Sequence, residues 1–236
     1  RQSGDIFPVI EDLENLLQQD ERYALAHAQL AVVLGFSVFE TGRDEPDIVP
    51  RVVAHARRAL SLDSDDERVQ AKAALGLLIA GDPKRALHYS EKALQLNPHS
   101  VEAIHVRGNV HCGTGEHETA LDYQREAMRL DPLFPTYYHE SVIEANYLLR
   151  RYDDAIRVYG NWDQPFSHAT AYMAACHAMM GDQASARELA DQFIGSRSEG
   201  FRMADYVAAL MRYFSRDEDR AHWREGFNRA GLLPEG

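Results

Sequence analysis

ERVQAKAALGLLIAGDPKRALHYSEKALQLNPHS, residues 67–100, is followed directly by VEAIHVRGNVHCGTGEHETALDYQREAMRLDPLF, residues 101–134. Shifting the first stretch by 34 residues lays Gly81 on Gly115, Ala86 on Ala120, Leu87 on Leu121 and Tyr89 on Tyr123. The same shift lays Ala93 on Ala127, Leu96 on Leu130 and Pro98 on Pro132. A period of 34 residues is the length of a helix–turn–helix unit with reserved places for small residues and a closing proline. Such a unit cannot bury its apolar face alone and must stack on a neighbour.

Reading outward from this pair, the small and apolar positions predict further hairpins. Residues 5–19 carry Phe7, Ile10, Leu13, Leu16 and Leu17 at helical spacing, with Pro8 in the first turn, and read as a capping helix. Residues 23–64 read as a hairpin interrupted by a long insertion at Gly42–Asp47. The repeats 67–100 and 101–134 follow, with Asp66 and Asp82 as N-caps and Gly81 and Gly115 as helix terminators. Residues 135–165 form a degenerate repeat in which Arg150 replaces the turn glycine and Gly160-Asn161 ends the second helix early. A hairpin at 168–194 and two capping helices within 201–231 complete the array, and the tail Gly231–Gly236 is expected to fray. The fold expected is all-α: one right-handed superhelix of about five helical hairpins with extra terminal helices.

Bulk composition narrows the function. Hydrophobic residues make up 45% of the 236 and charged residues 26%, enough for a continuous core. No apolar run reaches the ~18 residues that a membrane span needs. A net charge of −12 disfavours nucleic acid and favours basic peptides or proteins as partners. Cys112 and Cys176 are far apart with no CxxC spacing, which predicts reduced thiols and a cytoplasmic chain. Arg1 is not a methionine, so the chain is expected to be a piece of a longer protein.

Within Glu67–Phe134 the small residues and turn glycines resemble the tetratricopeptide-repeat family, although Gln70 and Ile104 stand where tryptophan is usual. The wider chain resembles a narrower bacterial arrangement. The carriers are Tyr23-Ala24-Leu25-Ala26, the long insertion before Arg57-Arg58-Ala59-Leu60, Tyr152-Asp153-Asp154-Ala155-Ile156, and Glu225-Gly226-Phe227-Asn228-Arg229-Ala230-Gly231-Leu232. These look like the repeat region found C-terminal to class III adenylate/guanylate cyclase domains and behind winged-helix DNA-binding domains. The resemblance implies a bacterial signalling protein whose catalytic or DNA-binding part lies elsewhere, and no cyclase metal-binding aspartate matches any residue here.

In the resembled family the first helix of each hairpin lines a concave peptide groove. Carried over, that geometry puts Leu25, Ala28, Val32 and Phe36 in the groove from the first unit, and Arg68, Ala71, Leu75, Leu78 and Ile79 from the second. Glu102, His105 and Asn109 follow from the third, and Tyr137, Glu140, Glu144 and Tyr147 from the fourth. The groove should run from apolar to acidic, suiting a protein or peptide with hydrophobic and basic character. On this reading Leu78→Asp abolishes binding without unfolding the array, and Glu140 and Glu144 sit on an ordinary exposed helix face. The alternatives are occupation of the groove by the chain's own helices or a second copy, and a small-molecule pocket built on Tyr137, Tyr147 and His105 that modulates an attached domain.

Other constellations carry less. A carboxylate clamp needs Lys and Asn at two groove positions; Asn109 fits one, but Ala71 and His105 hold the other. His105, His111 and His117 are six apart, whereas two helical metal ligands want a spacing of three or four. Arg107, His111 and Gln124 occupy core positions and call for a satisfied polar network. The sequence has neither a phosphate-cradling glycine loop nor a GxSxG motif. It therefore predicts no catalytic residues, no cofactor and no metal.

Overall fold

Asp66 shows how each hairpin is started. Its carboxylate accepts the backbone N–H of Arg68 at 2.8 Å, Asp82 does the same for Arg85 at 3.1 Å, and Ser100 for Ala103 at 3.4 Å. Each satisfies a donor that has no partner within the helix. The stops are as local, with Gly81 at φ 84° and Gly115 at φ 93°. Where the fourth unit lacks its glycine, Arg150 itself adopts φ 61°, a conformation that costs an L side chain ~1–2 kcal/mol.

The computed structural model describes residues 6–162 and 167–233. In chain order its helices are α1 (Phe7–Gln19), α2 (Ala24–Thr41), α3 (Ile48–Leu62), α4 (Glu67–Ile79), α5 (Pro83–Leu96), α6 (Val101–Thr114) and α7 (His117–Leu130). They continue with α8 (Tyr138–Leu148), α9 (Tyr152–Gly160), α10 (Ser167–Met180), α11 (Gln183–Gly195), α12 (Met203–Tyr213) and α13 (Asp217–Arg229). All regular structure among the described residues is helical. Helices α2 to α11 pair as five hairpins, and their first members α2, α4, α6, α8 and α10 stack on one another to form the concave wall. Helix α1 packs on α2.

Small residues set the spacing. Ala86, Ala93, Ala120 and Ala127 are all buried. A Cβ added at Gly108 of α6 would meet Gln124 Nε2 at 2.6 Å and Ala120 O at 3.2 Å, so α6 and α7 cross nearly backbone to backbone there. Ala120→Leu should therefore overpack this crossing and lower stability by ~1–3 kcal/mol. Thermal melts showing no loss would break the repeat register.

Two differences from expectation decide the shape. Helices α12 and α13 do not prolong the array as an end cap. They turn back into its concave side, α12 across α2 and α4, and α13 against α8 and α10. Backbone bonds fix the return: Arg202 N–H donates to Gly42 O at 3.1 Å, and Ser215 N–H to Gly113 O at 2.8 Å. The second difference concerns the tail. Gly231 takes φ 75°, Leu232 N–H reaches back to Phe227 O at 3.0 Å, and Leu232 is buried. That is a Schellman closure, so residues 231–233 are docked; residues 234–236 lie outside the described residues. Counting uninterrupted apolar residues also undervalued α2. Over its 18 residues the mean hydropathy is 1.4, long and apolar enough to cross a membrane, and 67% of it is buried against its neighbours.

Candidate interaction site

The returning helices cover most of the face that the repeat pattern assigns to a groove. Ala28, Val32, Ala71, Leu75, Leu78, Ile79 and Tyr147 are all buried. Leu78 abuts Gly113, which also lies against the carbonyl of Tyr213 on α12. A carboxylate at Leu78 would therefore sit in a closed core, and Leu78→Asp should unfold the chain rather than probe a binding surface. Tyr147 faces α13: its hydroxyl donates to His222 O at 3.1 Å, and a Cβ on Gly226 would come within 1.9 Å of that oxygen. His105 lies beside Tyr137, ring centroids 5.4 Å apart, whereas Tyr147 packs against Tyr172 and His222. What stays open is Phe36, 38% exposed, and Tyr137, 44% exposed; Arg68 is exposed, and Leu25, Glu102, Glu140 and Glu144 are partly exposed.

His105 and Asn109 are likewise withdrawn from the groove, into a closed network. His105 Nδ1 lies 2.7 Å from Gln124 Oε1, and Asn109 Nδ2 lies 3.1 Å from His105 Nε2. Gln124 Nε2 donates to Asn109 Oδ1 at 3.0 Å. Only a neutral imidazole carrying its proton on Nδ1 serves both neighbours. Burial drives its pKa down to about 4 in the same sense, with the Gln124 bond opposing. Its ring stacks on Tyr138 at 3.7 Å. Arg107 and His111 do not join this network. Arg107 donates to Leu87 O at 2.8 Å and Ser90 Oγ at 2.9 Å, whereas His111 stacks on Tyr123 at 5.3 Å. His117 turns a third way, to Asp219 at 3.0 Å, so the three histidines do not converge.

Glu140 and Glu144 depart furthest from the sequence reading. Instead of a fully exposed face they form, with Glu40, a half-buried carboxylate cluster, a chamber that solvent partly reaches. Burial, then the charges of Glu40 and Glu144, raise the Glu140 pKa to about 8 against the pull of the Ala169 N–H and Arg197. Glu140 Oε1 is out of contact with solvent and accepts no hydrogen bond. Burial raises Glu144 to about 7, opposed by the Tyr172 hydroxyl, which donates to Glu144 Oε1 at 3.1 Å. Glu40, near the end of α2, is raised by burial and lowered by Arg197. On the far side Tyr206 Oη of α12 is 2.5 Å from His168 Nδ1, and burial holds His168 down to about 3.

No family model and no curated protein matches the sequence. Solved structures do match its shape. A tetratricopeptide-repeat protein from Parabacteroides merdae aligns over 97% of this chain and 86% of its own, at 14% identity and a TM-score of 0.57. A thermophilic tetratricopeptide-repeat protein of Thermus thermophilus aligns over 78% and 99%, at 18% identity and a TM-score of 0.59. PilW, a type IV pilus biogenesis factor, aligns over 85% and 90%, at 17% identity and a TM-score of 0.57.

The fold is the tetratricopeptide-repeat superhelix. In this instance of the fold the concave side is mostly self-occupied, and what stays open includes Phe36, Tyr137 and the half-buried Glu40, Glu140 and Glu144. Phe36 is four residues before Glu40 on α2, and Tyr137 three before Glu140 at the start of α8, so each aromatic shares a helix face with a carboxylate. Sequence reasoning missed Glu40, His168, Arg197 and Tyr206. Glu40 follows the last groove position of its unit, and Arg197 lies in a loop, so no periodic signal singles them out.

Proposed function

We propose that the chain is a non-catalytic interaction module that receives a partner segment at the open mouth of its concave side. The observation that carries this is the contrast along one face: α12 and α13 seal the rest, while Phe36 and Tyr137 stay exposed beside Glu40, Glu140 and Glu144. An apolar anchor against the two rings supplies affinity, and a basic residue beside it supplies orientation and rate. The net charge of −12 favours such a partner at long range. The module is further proposed to serve as the regulatory part of a cytoplasmic bacterial signalling protein with a cyclase or winged-helix domain elsewhere. The four quoted motifs support that placement.

The test is selection from a peptide library, followed by binding kinetics at two salt concentrations. Peptides pairing an aromatic or aliphatic residue with Lys or Arg should be enriched. Phe36→Ala and Tyr137→Ala should each weaken binding by roughly tenfold, the scale of an interface anchor. Added salt should slow association more than it speeds release. Enrichment of acidic peptides, or indifference to both aromatic substitutions, would remove the mouth from the account.

A further inference from the structure

Three carboxylates face the chamber beneath the mouth, Glu40 from α2 and Glu140 and Glu144 from α8. Among the described residues none of them forms an ion pair within 4.0 Å. The nearby cation is turned aside. Arg197 lies 4.5 Å over the ring of Phe193, 5.3 Å from that of Phe201, and donates to Phe39 O at 3.4 Å. Glu140 keeps a buried oxygen with no hydrogen bond, an arrangement that calls for a donor. Phe36, one turn before Glu40, and Tyr137, one turn before Glu140, are exposed.

We propose that Glu140 and Glu144 are the seat for a single lysine or arginine side chain of the partner, entering past Phe36 and Tyr137. This rests on the mouth being the binding site and names what goes into it. An ammonium brings three N–H donors and a guanidinium five, one of which can meet the unpartnered Glu140 Oε1, and exposed rings accept a cation on their faces. Entry changes protonation. Glu140 and Glu144 titrate at about 8 and about 7, so near neutrality Glu140 is largely a neutral acid and Glu144 is divided between its two forms. A cation alongside favours the carboxylate. The arriving side chain therefore expels a proton to solvent, and its charge is balanced by the carboxylate it leaves behind. The other titratable groups facing this pair are Glu40 on α2, Cys112 on α6, Tyr172 on α10, Arg197 after α11, Tyr206 and Tyr213 on α12 and Asp219 on α13. His168 joins them through Tyr206. Arg197 is a cation among them, its charge felt by Glu40 and Glu140 and its Nε buried without a hydrogen-bond partner; the Phe193 and Phe201 rings and the Phe39 carbonyl hold its guanidinium aside, and His168 stays neutral.

The experiment follows the carboxyl carbons of 13C-labelled glutamate in the full chain by NMR across pH. Two signals should titrate above about pH 6, assigned by their loss in Glu140→Gln and Glu144→Gln. The probe is N-acetyl-phenylalanyl-arginine amide, with the uncharged citrulline analogue as control. Saturating arginine probe should lower at least one midpoint by about one unit or more, a tenfold change in proton affinity. The citrulline analogue should leave both midpoints in place. If the arginine probe shifts the ring signals of Phe36 and Tyr137 yet moves neither midpoint, the side chain stops at the mouth: the inference falls and the interaction reading stands. Shifts of neither rings nor carboxyls would overturn both. Midpoints near ordinary glutamate in the free chain would remove the chamber.

Discussion

Trp223→Ala should lower the free energy of unfolding by about 3–5 kcal/mol, the cost of emptying a large aromatic site in a core. The indole is fully buried, stacks on Phe227 with centroids 3.8 Å apart and reaches Tyr206 of α12 at 6.4 Å. Phe227 in turn meets Tyr172 on α10 at 5.5 Å. Removing the ring therefore opens a cavity at the junction of the two returning helices with the repeat wall, and those helices are held by packing rather than by chain connectivity. Truncation after Phe214 goes further. It uncovers Tyr147 and Tyr172 and leaves His117 without Asp219, so exposed apolar surface should drive aggregation. Urea melts of Trp223→Ala and light scattering of the truncated chain measure both effects. A melt unchanged within about 0.5 kcal/mol, together with a monomeric truncated chain, would make α13 an appendage and not the filling of the trough.

The parts of this structure that are legible in the sequence obey short-range rules. Asp66, Asp82 and Ser100 cap because an acceptor two or three residues before a free N–H always can. Gly81 and Gly115 stop helices because a left-handed turn disfavours a side chain, and the alanine pairs at a period of 34 mark where helices touch. The destination of α12 and α13 obeys no such rule. Trp223, Phe227 and Leu232 spaced along a charged helix fit an end cap as well as they fit the trough. The choice rests on Gly113 and Gly226, whose missing side chains leave room for Tyr213 and Tyr147. The misreading of Glu140 and Glu144 has the same origin. Two glutamates four apart look alike on an open helix and in a chamber, and only the arrival of α10 and α12, later in the chain, buries them. His105 and Asn109 left the expected groove because Gln124, on the next helix, completes their hydrogen bonds.

The chain should lose stability as pH rises from neutrality to about 8.5, by about 1–3 kcal/mol. An acid whose folded pKa is raised is held neutral by the fold, so its ionisation works against folding. In the unfolded chain Glu140 ionises near 4.5, whereas in the fold it does so at about 8. Between those values the folded state binds the extra proton, and stability falls with each step upward in pH. Glu144, at about 7, adds to the lower part of that window, and the raised Glu40 acts in the same direction. Histidines whose pKa is lowered oppose this at the acid end. His105 is lowered to about 4, His168 to about 3 and His55 to about 4, so stability rises with pH until they are neutral in the unfolded chain as well, near 6.5. Above that point the carboxylates act alone among these groups. Stability should therefore peak around pH 6–7 and decline on the basic side, rather than hold level as it does in proteins whose acids are all ion-paired. Glu140→Gln keeps the shape and the neutral state but has no proton to lose. It should match the parent only below about pH 4, exceed it by a margin that widens up to about pH 8, and flatten the basic limb. Urea midpoints at about pH 6.5, 7.5 and 8.5 for both chains measure this. A parent curve that is level or rising over that range, or a basic limb that Glu140→Gln leaves as steep as before, would mean that the Glu140 carboxyl is solvated and the chamber open to water.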